Sequence, residues 1–246
     1  MLYPCQHELT VTPEGVDATW APDFVIHGWA FAGPDPKILP DVPNIVFLRR
    51  FELFDGSFLK LDWSKVDHLI CVNDWIRDEV SRIFAGKNIG PVPTSVIYNA
   101  VEPLKWTYKP NRPRSHRIGM ACFVNQKKNL PMALQILLGL PEDYELHIAG
   151  QVQDPCTAEY LNYVAKCYKR KVYIYGHILP SNMDTWWEMM EVCLSTSISE
   201  GNPNNVNEAM MKGIKPVVHA WPGAHQQYPH GCLFRTVDEA IAIILS

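Results

Sequence analysis

The sequence predicts an α/β protein whose C-terminal half is a doubly wound parallel sheet. Short β-branched or aromatic runs alternate with amphipathic stretches along most of the chain. Beyond residue 116, five strand-like runs interleave with helices long enough to return each strand in parallel, which calls for a sheet covered on both faces. Between the halves, 102–116 carries three prolines and several basic residues without periodicity, the texture of a linker. The domains expected are 1–101, an abbreviated N-terminal one, and 117–246.

In chain order, 24–27, 45–48 and 68–72 read as buried strands. Asn73 is a suitable N-cap for a helix running to about Gly86, with Trp75, Ile76, Val80, Ile83 and Phe84 at helical spacing. A strand at 95–98 precedes the linker. Beyond the linker come strand 117–121, helix 130–140, strand 145–149 and helix 157–168. Strand 171–175, helix 182–190, strand 192–196, helix 203–212, strand 215–219 and helix 236–245 complete the series. Trp186-Trp187 and Met189-Met190 read as helix-to-sheet packing, and Asn99 as a turn residue.

The bulk numbers narrow the function classes. At 246 residues, 47% hydrophobic and 20% charged, the composition is that of a soluble globular protein. A formal charge of -4 provides no broad cationic field, which argues against a nucleic-acid partner. Seven scattered cysteines, Cys5 among them, with no Cys-x-x-Cys pair argue for reduced thiols. Met1 to Thr10 lacks the pattern of a signal peptide and no apolar run reaches bilayer length, so a cytoplasmic location is expected, with docking at a membrane surface left open. His219, His225 and His230 have no Asp or Cys partner at ligand spacing, so no metal is expected. No Gly-x-Gly-x-x-Gly follows any strand, which argues against a dinucleotide dehydrogenase.

Ligands on doubly wound sheets lie beyond the carboxyl ends of the strands, and one such loop carries a dense constellation. It runs from Ser199 through Glu200-Gly201-Asn202-Pro203-Asn204-Asn205-Val206-Asn207-Glu208 to Gly213. Asn202 suits the N-cap and Pro203 the first helical position, while Gly213 suits the exit. The free N–H groups from Pro203 to Val206 would face the sheet edge with the positive end of the helix dipole and could hold phosphate or sugar hydroxyls. Within one helix Glu200 and Glu208 would stand roughly 12 Å apart; with Glu200 in the loop they can bracket a ligand.

Glu200, seven intervening residues and Glu208, then Ala-Met-x-x-Gly, resemble the E-x7-E motif of the retaining GT4-type glycosyltransferases (glycosyl transferases group 1). Val96-Ile97-Tyr98-Asn99-Ala100-Val101 resembles the interdomain V-I-P-N-G-V, and Lys127-Lys128-Asn129-Leu130 resembles K-N-L. Leu146 to Gly150 resembles L-x-I-x-G, Val172 to Gly176 V-x-F-x-G, Pro216-Val217-Val218 P-V-V, and Gly231 to Phe234 G-x-L-F. The resemblance covers about residues 60 to 245. It implies a GT-B-like pair of Rossmann-like domains that moves a sugar from a nucleotide-diphosphate sugar to an acceptor hydroxyl, with no cofactor or metal.

By resemblance, Glu208 would bond the ribose hydroxyls and Glu200 the donor sugar. Amides at Gly201, Asn202, Pro203, Asn204 and Asn205 mark the donor-binding stretch; those with N–H groups would hold sugar hydroxyls. Lys127 or Lys128 would neutralise the departing diphosphate, the choice left open by a loop one residue longer than the commonest spacing. His27, after an early strand, matches the family's sugar-contacting histidine and has a structural reading beside that one; Arg49-Arg50 is another cleft candidate. The family's usual Gly-Arg falls on Ala121-Cys122. That departure and the short first domain point to the alternative, a non-catalytic nucleotide-sugar-binding or assembly module. The acceptor is not legible.

Overall fold

The computed structural model describes residues 23–28, 30, 42–110 and 112–246. Cys5 and the Met1 to Thr10 segment lie outside them. The chain divides into two compact units, one formed by Met1–Val72 with Arg77–Ile97 and the other by Asn73–Ile76 with Tyr98–Ser246.

The first unit holds a parallel four-stranded sheet in sequential order: β1 (Val25–His27), β2 (Asn44–Leu48), β3 (His68–Cys71) and β4 (Thr94–Val96). Val46, Leu48, Leu69 and Cys71 are fully buried, as β-branched and aliphatic strand interiors require. Helix α1 (Arg50–Asp55) is absent from the sequence reading, being too short for its apolar spacing to show. It starts on a capping box in which the Arg49 N–H donates to Glu52 at 2.9 Å, and it ends at Gly56 with φ 71°. Phe58, Trp63 and Phe84 pack together behind it, Trp63 and Phe84 with ring centres 4.8 Å apart. Helix α2 spans Asp74–Lys87, and Asn73 Oδ1 accepts the Ile76 N–H at 2.7 Å as its cap.

The second unit is a six-stranded parallel sheet. Its strands are β5 (Arg117–Ala121), β6 (Glu145–Ala149), β7 (Lys171–Ile174), β8 (Val192–Ser195), β9 (Lys215–His219) and β10 (Leu233–Phe234), in spatial order β10-β9-β8-β5-β6-β7. Strand β10 is an addition to the sequence reading, two residues paired with Val218 and His219. The chain runs outward from β5 through β7, then restarts at β8 on the other side, so the order reverses between β5 and β8.

Both faces are covered. On one, Ile118, Met120, Leu146, Ile148 and Leu194 meet α3 (Leu130–Gly139), α4 (Pro155–Cys167) and α7 (Val237–Leu245) through Leu134, Leu137, Leu161 and Ile244. On the other, Cys193 and Val218 meet Trp186 and Trp187 of α5 (Met183–Glu188) and Val206 and Ala209 of α6 (Asn204–Met211). The alternation Val192, Cys193, Leu194 between the two cores is the period of two that an interior strand imposes. Gly119 faces α5, where a Cβ would come within 2.7 Å of Met190 Cγ and 2.9 Å of Trp187.

The stretch after Tyr98 packs along this unit. The Lys212 side chain at the end of α6 is fully buried, paired with Asp184 and, at 3.2 Å, with Glu188. Lys109 and Arg112 reach the same Glu188 at 2.6 and 3.0 Å. The hydrogen bond from Lys109 above all, with those from Lys212 and Arg112, outweighs burial and pulls the Glu188 carboxyl down to about 2.

Candidate active site

Beyond the carboxyl ends of β5, β6 and β8 lies an open crevice of about 350 Å³. Glu200, Pro203, Asn204 and Asn205 form one wall, and Lys128, Cys122 and Phe123 another. Gln151, His177 and Ile178 close it on the β6 and β7 side. It stands where the strand order reverses, as the topology requires of a ligand site.

Two loops are tied together at its base. The residues after β5 form a 3₁₀ turn, Gln126–Lys128, held by Asn125, whose side chain accepts the Lys128 N–H at 3.3 Å. The Lys127 carbonyl accepts the Ile198 N–H at 3.0 Å, and the Lys128 carbonyl accepts the Thr196 hydroxyl at 2.7 Å. These bonds bring both lysine side chains onto Glu200. Lys127 Nζ donates to Oε2 at 3.1 Å and Lys128 Nζ to Oε1, with only 9% of the carboxylate side chain exposed. Burial alone would raise the Glu200 pKa, but Lys128 and Lys127 overcome it and hold the carboxyl below its usual range. Lys128 lines the crevice; Lys127 engages Glu200 from a more exposed position.

Helix α6 opens on the crevice one residue later than its sequence implies. Pro203 is the N-cap, with φ -75° and ψ 113° and no side-chain cap bond. Asn202 is therefore not the cap. Its Nδ2 donates to Gln227 at 2.9 Å and its Oδ1 accepts from Asn207 at 3.3 Å. As a proline, this cap offers the first amides of α6 no side-chain acceptor at the crevice edge. Gly201 and Asn202 are buried and do not line the crevice.

Glu208 stands in the second turn of α6, half-buried, and does not line the crevice. Burial raises its pKa, and the facing Trp187 indole partly offsets that. His27 belongs to the first unit, where its Nε2 lies 3.1 Å from Asn44 Oδ1 on the next strand. Arg49, in the same unit, donates from Nε to the Gly28 carbonyl at 3.4 Å. Asn99, read from sequence as a turn residue, instead donates to the Asn202 carbonyl at 2.7 Å.

Cys122 brings no charge to the crevice, since burial pushes its thiol up to about 11. Its carbonyl sits where a Cβ on Gly150 would be, 1.9 Å away. Phe123, Gln151 and His177 were missed from sequence. The signal for His177 was its place directly after the strand-ending Gly176; Phe123 and Gln151 carried no motif. Among the described residues, no group of three or more His, Cys, Asp or Glu is gathered to hold a metal, and no helix is long and apolar enough to cross a membrane.

Residues 116–245, more than half of the chain, match the family Glycosyl transferases group 1. No curated protein matches it in sequence. HepE of Anabaena, solved with UDP and glucose, shares 16% identity at a TM-score of 0.67, over 82% of this chain and 61% of HepE. Sucrose-phosphate synthase of Thermosynechococcus elongatus shares 13% at 0.65, over 83% of this chain and 58% of its own. The chain thus spans less than two thirds of the length of either, and what it shares with these GT-B proteins is an α/β architecture of parallel sheets. With the family match over the sheet that bears the crevice, the chain belongs to the glycosyl transferases group 1 family.

Proposed function

We propose that the protein is a retaining, GT4-type glycosyltransferase that takes a sugar from a nucleotide-diphosphate sugar and passes it to an acceptor hydroxyl. The observation that carries the reading is the convergence of Lys127 and Lys128 on Glu200 beside the uncapped start of α6. The costly event is rupture of the anomeric carbon–phosphate bond, with negative charge collecting on the departing diphosphate. Fixed cations and backbone amides placed there lower that barrier without a metal. Glu200 takes the sugar hydroxyls; the ribose role that the motif assigns to Glu208 requires the nucleoside to reach past the crevice lining to the second turn of α6. The acceptor oxygen bonds the anomeric carbon from the face the diphosphate leaves, and its proton departs with the diphosphate. That HepE was solved with UDP and glucose supports a nucleotide-sugar donor.

The second reading, a non-catalytic nucleotide-sugar-binding module, is favoured by Cys122, an uncharged thiol where the family's arginine falls. Hydrolysis of a panel of nucleotide-diphosphate sugars separates the two. The enzyme reading expects turnover of at least one donor and a loss of about a hundredfold or more in Glu200→Ala. Binding without turnover favours the module, and absence of both ends the donor reading.

A further inference from the structure

Five carboxamide side chains around Gly201 and Asn202 form one directed, uncharged hydrogen-bond circuit, joined at its Asn207 end by the Tyr228 hydroxyl at 3.5 Å. Its orientation is set at Asn73, whose Oδ1 is committed to the Ile76 N–H at 2.7 Å, so its Nδ2 must donate; it does, to the Gly201 carbonyl at 2.6 Å. Gln227 Nε2 donates to the same carbonyl at 2.8 Å, filling its second lone pair. The Gln227 oxygen accepts from Asn202 Nδ2 at 2.9 Å, and the Asn202 oxygen accepts from Asn207 Nδ2 at 3.3 Å. Asn99 Nδ2 holds the next carbonyl, that of Asn202, at 2.7 Å. All five belong to the second unit, and Asn73 is fully buried.

Two consecutive carbonyls are thus drawn away by neutral donors. In a trans peptide the N–H points opposite to its carbonyl, so the Asn202 N–H is turned away from Asn73 and Gln227. The residues flanking that peptide, Glu200 and Pro203, both line the crevice. Were this peptide to turn over, a carbonyl dipole would replace an N–H donor in the segment between those two wall residues, and a sugar hydroxyl held there would lose a bond and meet a repulsion. Because the circuit is uncharged, it does this without perturbing the Lys–Glu200 pairing beside it.

We infer that Asn73 is a positioning residue for the sugar half of the donor, acting through the Gly201 carbonyl to fix the direction of the Asn202 N–H. This rests on the donor reading above. It assigns binding consequences to a residue that touches no ligand, alongside its local role as a helix cap.

Asn73→Asp separates the two roles. Aspartate caps a helix as well as asparagine but has no hydrogen to give Gly201. In the unliganded protein, hydrogen exchange of the 199–203 stretch should rise about tenfold while that of 77–87 stays as in wild type. Calorimetry then uses UDP, ADP and GDP with their glucose esters, taking the pair wild type binds. Affinity for the glucose ester should fall about tenfold and for the bare nucleotide less than twofold. Unchanged exchange at 199–203 overturns the inference whatever wild type binds. So does a parallel fall for both ligands, which is what general loss of structure would give. If wild type binds none of them the donor reading fails, and the sugar-positioning claim with it; the exchange data still show whether the circuit itself holds the loop.

Discussion

Glu200 is a carboxylate kept ionised in a place that disfavours ions. Its burial would favour the protonated form, and two ammonium groups reverse that. Lys128→Met removes the nearer, better buried one and leaves Lys127. We expect a loss of about 2 kcal/mol at pH 7, below the usual cost of breaking a buried pair because one partner remains. The sign with pH follows from linkage. In wild type the folded pKa lies below the unfolded value, so this contribution is full above about pH 4.5 and fades on acidification. In the variant burial dominates, the folded pKa rises, and acid relieves the strain. Urea denaturation from pH 7 to pH 4 should therefore show the gap between the two proteins narrowing. A constant gap would mean that Lys128 does not govern the Glu200 charge. The glutamate and the lysines were legible as a motif; that both lysines meet the same carboxylate was not, because it depends on bonds from 127 and 128 to 196 and 198.

At the scale of elements, β5 and α5 meet at a residue with no side chain. Gly119 leaves room for Trp187 and Met190, and a methyl there would stand under 3 Å from both. Gly119→Ala should cost about 2 kcal/mol by overpacking, read as a lower Tm. An unchanged Tm would mean that α5 slides freely on the sheet. Elements with strong periodicity, such as α2, α3 and α7, were legible to within a residue or two. Helix α1 and the two residues of β10 were not, being too short to show a period. The start of α6 is instructive. Pro203 suits the first helical position by type yet stands at the N-cap, and Asn202, a good local cap by type, spends its side chain on Gln227 and Asn207. A contact spanning 25 residues outbid a local preference that was all the sequence displayed.

For the whole molecule, the order β10-β9-β8-β5-β6-β7 places the crevice at the reversal between β5 and β8. The parallel, two-faced character of that sheet was legible from helices interleaved with apolar strands. The burial of Lys212 was not, because a lysine at the end of a helix reads as a solvated charge. Its cluster makes a global prediction. Glu188 titrates near 2 when folded, against 4.5 as an ordinary glutamate. A lowered folded pKa means stability that is complete above about pH 4.5 and is surrendered as pH falls toward 2. Glu188→Gln should be less stable at neutral pH and show a flatter decline across that window in acid denaturation. A decline as steep as that of wild type would place the acid-sensitive site elsewhere.

The contact between Gly150 and the Cys122 carbonyl has a consequence for how such a crevice can diverge. Main chain rests on main chain there, with Cys122 N–H bonded to Ala149 O at 2.8 Å. The gap between two of its rims is therefore gauged by peptide dimensions, which mutation cannot alter, and any residue other than glycine at 150 would wedge them apart. Side chains lining the mouth can be exchanged to suit a different guest while the calliper itself keeps its setting.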